Sequence, residues 1–233
     1  MSQPAEPPDW MRKLADAVGE GLEGPLSNYR RVTAAVGRTA AVLMLFGENA
    51  PDANGDGVVP GPDLLLLQRA DTLRNHAGQP AFPGGAADPG DRDLAHTALR
   101  EAYEETGLDT TTVRVLGQLR PLPVPVSKFL VTPVLAWWQR PHPVAPVHAA
   151  EVATVTRVPV SELADPANRV MVRHPSGYQG PGFQVRGMLV WGFTGFLVAA
   201  LLDLGGWTVP WHAERVRDVP STARDRGLEE GRR

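Results

Sequence analysis

Residues 99–108 read LREAYEETGL, and no other stretch constrains this chain as tightly. On a helix of 3.6 residues per turn, Glu101, Glu104 and Glu105 fall within about 100° of arc. Leu94, Ala95, Ala98, Leu99 and Ala102 form an apolar stripe beside them, so Glu105 lies on the border of a buried face. Three like charges placed there repel one another, and a bound cation turns that repulsion into attraction. The chain has no cysteine. Thiolate catalysis, disulfides and Cys-ligated zinc are therefore excluded. Oxygen ligands without a His or Cys partner suit Mg²⁺ or Mn²⁺. Arg100, one turn before Glu104, can pin that carboxylate. A solvated acidic helix face is the alternative reading of the same residues.

The rest of the chain is compatible with one domain and its extensions. It has 233 residues, 42% hydrophobic and 21% charged, enough apolar material for a sizeable core. A net charge of -3 gives no support to a general nucleic-acid or membrane-surface binder. Residues 1–36 are expected to be an N-terminal extension carrying a helix over about 10–21. Residues 37–205 form the main domain, and 206–233 a partly disordered tail. Short apolar or alternating runs predict strands at 40–46, 64–68, 113–119, 129–138 and 152–158. Residues 48–63 form a Gly/Pro/Asn/Asp-rich loop that lacks the closing Glu of a calcium loop. Phe82, Pro83, Gly84 and Gly85 predict a tight turn with close backbone approach. A helix is expected over 93–106, capped by Asp91 or Asp93 and ended by Gly107, and a short helix or turn over 161–164. The apolar run 188–202 is roughly 15 residues, short of the ~20 that span a bilayer, and reads as one buried core helix. With no secretory h-region at the N-terminus, a cytoplasmic location is the default. The fold class expected is α/β (α+β), a mixed sheet sandwiched between helices.

The acidic helix resembles the core of the Nudix box, Gly-x5-Glu-x7-Arg-Glu-U-x-Glu-Glu-x-Gly-U, where U is aliphatic. Arg100, Glu101, Glu104, Glu105, Gly107 and Leu108 match, with Ala102 at the first U. The upstream part departs: the glycine register falls on Ala86 and the first Glu on Arg92. A one-residue insertion would put Gly85 in the glycine role and leave Asp91 or Asp93 as partial substitutes for the missing Glu. The same lengthened box occurs in the coenzyme A diphosphatase branch. Residues 65–85, LLLQRADTLRNHAGQPAFPGG, resemble that branch's upstream signature at Arg69, Ala70, Arg74, His76, Gly78, Gln79, Phe82, Pro83, Gly84 and Gly85. VLGQLRPLPVPVSKFLVTPV, VPVSELADPANR and VWGFT are similar to it as well.

The resemblance implies a Nudix fold and divalent-metal-dependent hydrolysis of the diphosphate of coenzyme A or a derivative. The products would be 3′,5′-ADP and a phosphopantetheine. It implies Glu101, Glu104 and Glu105 as ligands of Mg²⁺ or Mn²⁺, with Arg100 supporting them. Glu151, just before a strand, is a candidate base beside the cluster's own acids. Arg69 and Arg74 are candidates for phosphate contact. His76, Gln79, Phe82, Gly84, Gly85 and Lys128 complete the candidate substrate-binding set. A homodimer is a family expectation. The alternatives are hydrolysis of another nucleoside diphosphate derivative, such as ADP-ribose or an oxidised nucleotide, and a non-catalytic Nudix-fold binding protein.

Overall fold

A computed structural model describes residues 6–20, 37–49, 61–73, 76–124 and 127–219. Most of the calcium-like loop lies outside these residues, as do Arg74 and residues 220–233. The ends of that loop are strand instead. Strand β1 spans Arg38–Asn49 and β2 spans Gly61–Arg69. Asp63, which the sequence places in the loop, is buried and bound by Arg157 through Nε to Oδ1 at 3.0 Å.

The larger sheet is built on β1. It runs parallel to β7 (Phe129–Trp138) from Arg38 opposite Phe129 to Phe46 opposite Trp137. It pairs antiparallel with β2 only at its far end, from Phe46 opposite Leu64 onward. At its near end it pairs with the short β4 (Gly84–Ala86) instead. β3 (Pro80–Ala81) pairs with the end of β2. The sheet therefore forks between β1 and β2, and residues 80–86 fill the fork. β5 (Val113–Gln118) and β6 (Leu122–Val124) extend the β7 side. β8 (Val152–Pro159) pairs with β2, with a register shift at Gln68/Arg69. β6 lies between two of the strands that the sequence predicts and is not itself among them.

Both faces of this sheet are covered, which is why β1 and β2 read as unbroken apolar runs rather than alternating ones. Ala41, Leu43, Leu45 and Leu65 face α2 (Leu94–Thr106) through Ala98 and Ala102. Met44, Phe46, Leu64 and Leu66 face the opposite way. They share a core with α1 (Asp9–Glu20) and α4 (Gly192–Leu204). Met11, Leu14 and Val18 form the buried stripe of α1 at helical spacing, so the N-terminal helix is part of this core.

The run 188–202 is not one helix. Met188–Val190 is β11, hairpinned to β10 (Gln179–Val185). Gly192, at φ +65, turns the chain into α4. A residue with a Cβ is disfavoured there, so the run breaks at that glycine. β10 also pairs with β9 (Arg169–Arg173), and β9 pairs in parallel with β12 (Val216–Asp218). This second, four-stranded sheet is absent from the sequence reading, because Gly, Pro and Arg interrupt its strands. The short helix α3 (Val160–Ala164) lies where the sequence places it. Among the described residues, no helix is long and apolar enough to cross a membrane.

Leu14 is fully buried against this core. Leu14→Ala is expected to lower unfolding stability by about 2–5 kcal/mol, the cost of an unfilled core cavity. Denaturant titration measures this. A loss below about 0.5 kcal/mol would mean that α1 does not pack as described.

Candidate active site

The site is assembled where α2 crosses the fork. Asp93 starts the helix: its Oδ1 accepts the His96 amide at 2.7 Å. Gly107 ends it in the left-handed conformation, φ +70, and donates to the Tyr103 carbonyl at 2.9 Å. The buried Ala98 and Ala102 allow the helix close to β1, so its next residues around, Glu101 and Glu105, meet β4.

The two glycines of β4 are there for space. A Cβ on Gly84 would lie 2.3 Å from the Ala41 carbonyl oxygen. A Cβ on Gly85 would lie 2.5 Å from the Glu101 carboxylate. The sequence expectation of close backbone approach is met, although the residues form a strand rather than a free turn. The Gly84 amide donates to Glu105 Oε2 at 2.9 Å.

Arg100 organises the acids. Its Nε and Nη2 bind the two oxygens of Asp91, each at 3.0 Å. Nη2 also donates to the Ala86 carbonyl at 3.1 Å. Nη1 reaches Glu101 Oε1 at 3.0 Å and Glu104 Oε2 at 3.1 Å. Asp91 is only 4% exposed and also accepts from Thr97 Oγ1 and the Asp88 amide, with His96 Nδ1 at 3.0 Å. Arg100 holds the Asp91 carboxyl well below its usual range. Of the two aspartates that could replace the missing Glu, Asp93 caps the helix and Asp91 engages the arginine. The sequence offers both and cannot choose, since only the fold shows which one is inside.

Glu105 is the electrostatic outlier. Burial pushes its carboxyl up to about 7, aided by the charges of Glu101 and Glu151 and opposed by the Gly84 amide and Arg69. Burial also raises Glu101, with Arg100 opposing. Glu151 is exposed in the turn before β8, and its carbonyl accepts the Ala70 amide at 2.9 Å. It therefore sits beside the end of β2 that carries Arg69. Nε of Arg69 is buried with no hydrogen-bond partner among the described residues.

The remaining candidates divide. His76 and Gln79 face each other, Nδ1 to Oε1 at 2.9 Å, and the Gln79 carbonyl accepts the Arg69 amide at 3.1 Å. They brace the loop after β2. Phe82 is 3% exposed within the core, so the expected substrate contact is corrected to packing: its ring has no open face to offer. Lys128 is exposed at the β6–β7 turn, and among the described residues no ion pair joins it to the carboxylates. Arg74 lies outside the described residues.

Among the described residues, no three His, Asp or Glu side chains converge tightly enough to enclose an ion by themselves. Glu104, 50% exposed, is drawn to Arg100. The residues nevertheless fit a hard divalent cation. All the donors are oxygen, and Arg100 is already committed to Asp91. The half-buried Glu105 therefore has only one amide and the more distant Arg69 to offset its charge.

Residues 49–175, more than half of the chain, match the family model described as the NUDIX domain. The Nudix hydrolase NudL of Photorhabdus laumondii is 50% identical over 105 residues, 44% of this chain and 54% of that protein. NudL of Yersinia enterocolitica is 58% identical over 76 residues, 33% of this chain and 38% of that protein. The chain thus spans about half the length, or less, of these curated relatives. A Nudix hydrolase from M. smegmatis, RenU, shares the fold with a TM-score of 0.50 at 17% identity, over 75% of this chain and 89% of that one. The matched segment holds β2, the glycine pair and the whole acidic helix, and the chain belongs to the Nudix family.

Proposed function

We propose that this chain is a divalent-metal-dependent diphosphatase that cleaves coenzyme A or a derivative into 3′,5′-ADP and a phosphopantetheine. One observation carries the reading. The stretch that resembles the coenzyme A branch and the acidic helix meet at a single place: Gly84 and Gly85 touch Glu105 and Glu101, and Arg69 is felt by Glu105.

Glu101, Glu104 and Glu105 would hold Mg²⁺ or Mn²⁺, which when bound neutralises phosphate oxygens and acidifies a water. Arg100 fixes two of these carboxylates from one side and leaves their other faces to the substrate. Arg69 has a buried guanidinium N–H without a hydrogen-bond partner among the described residues, which suits a non-bridging phosphate oxygen. Glu151 is the candidate base. It is solvent-exposed next to the half-buried Glu105, so it can take a proton from the attacking water and return it to bulk. His76 and Gln79 hold the loop that positions Arg69.

Two measurements test the reading. Incubation with CoA and Mn²⁺ is expected to release 3′,5′-ADP. Cleavage of ADP-ribose with no 3′,5′-ADP from CoA would replace the coenzyme A reading with the other nucleoside diphosphate one. Glu151→Gln is expected to reduce kcat about 10²-fold or more, the usual contribution of a positioned base. An unchanged kcat would remove Glu151 from the chemistry and leave the base within the α2 cluster.

A further inference from the structure

The loop that carries Glu151 is held in a way that the chemistry above does not account for. Residues 139–151 join β7 to β8 without helix or strand. A cavity of about 450 Å³ is lined by Pro141 and Pro143 on the loop and by Val155 and Arg157 on β8. The first half of the loop therefore stands off β8, and packing on that strand does not fix its path.

Hydrogen bonds to the end of α2 fix it instead. The Ala145 amide donates to the Thr106 carbonyl at 3.1 Å, and the Val147 amide to the Glu105 carbonyl at 3.2 Å. Carbonyls in the last turn of a helix have no partner within it, so the loop completes α2. Prolines stand at 141, 143 and 146, beside the two amides that are used. They restrict the loop before it is tied down, which lowers the entropy cost of holding it. Glu151 follows Val147 by four positions, and its own amide donates to the His148 carbonyl at 2.9 Å. One short segment thus runs from the backbone of Glu105 to the side chain of Glu151.

His142 anchors the entry to this segment. Its Nε2 accepts the Asp109 amide at 3.1 Å, and its Nδ1 donates to the Pro143 carbonyl at 2.9 Å. A single neutral tautomer, with its proton on Nδ1, makes both bonds. The ring stands edge-on to Trp138, with centroids 5.1 Å apart, and Trp138 is itself held by Nε1 to Thr112 Oγ1 at 3.0 Å. Asp109 lies just past Gly107, which ends α2. His142 therefore joins the loop to the same helix end that Ala145 and Val147 reach.

We infer that His142 is a positioning residue for the reaction: it ties the 139–151 loop to the end of α2 and so sets where Glu151 stands relative to Glu105. The inference rests on Glu151 acting as the base. A misplacement of about 1 Å caused by a distant substitution can cost up to about a hundredfold in rate, so a loop tie of this kind is worth measuring in kcat.

The test uses His142→Phe, which keeps the ring beside Trp138 and removes both nitrogens. Its kcat should fall about tenfold with KM within about twofold, because the base acts in the chemical step. Hydrogen exchange at the Ala145 and Val147 amides should quicken about tenfold or more. His142→Gln, whose carbonyl can stand in for Nε2, should recover most of kcat. In the Glu151→Gln background His142→Phe should cause no further loss, since no base is left to misplace. Pro146→Gly, which loosens the loop away from His142, should show the same dependence on Glu151, and it keeps the test intact if His142→Phe folds poorly. A wild-type kcat in His142→Phe, or an equal loss in both backgrounds, overturns the positioning role while Glu151 stands as the base. A Glu151→Gln variant with unchanged kcat overturns both.

Discussion

The contact between the glycine pair of β4 and the carboxylates of α2 is the constraint on which the rest depends. Glu101 occupies the volume that a side chain at position 85 would need, and the backbone of Gly84 is pressed against Ala41 and Val42. This contact requires a fork between β1 and β2, a helix with alanines on its inner face, and a strand too short to pair with both neighbours. The large sheet supplies the first, Ala98 and Ala102 the second, and Gly84–Ala86 the third.

The same contact creates an electrostatic imbalance. Arg100 makes five hydrogen bonds to Asp91, Glu101, Glu104 and Ala86, and two of the five go to Asp91. Its charge is largely committed to holding the loop before α2 against the helix. Glu105, on the other side, is half-buried beside Glu101 and Glu151. Such a group lowers the stability of the metal-free fold in order to serve a function, a pattern usual where binding sites are carved into packed structure.

Much of this was legible in the sequence. The caps of α2 follow from Asp93 and Gly107, and the apolar stripe of the helix fixes the side on which the acids emerge. The strands β1, β2, β5, β7 and β8 were visible because apolar residues mark them out. What was not legible depended on contacts distant in sequence. Asp63 reads as a loop residue until Arg157, 94 positions on, is seen beside it. Phe82, next to two glycines in a signature motif, could have faced substrate or core, and the core contains it. The 188–202 run is apolar throughout, and only the left-handed Gly192 divides strand from helix. β9 and β10 lack any periodic signal and exist because they pair with each other.

The central claim is that Glu105 is a carboxylate built for a cation. Its carboxyl is raised in the metal-free fold from the usual 4.5 to about 7. Between those values the folded state binds more protons than the unfolded one, so this group's contribution to stability declines as pH rises through that window. The direct measurement is thermal unfolding of the wild type and Glu105→Gln at pH 5 and pH 8, with and without Mn²⁺. Without metal, the variant should be the more stable at pH 8, and its advantage should shrink toward pH 5. Mn²⁺ should then raise the Tm of the wild type more than that of the variant at pH 8. A variant less stable than the wild type at pH 8 without metal, with an equal response to Mn²⁺, would contradict the account.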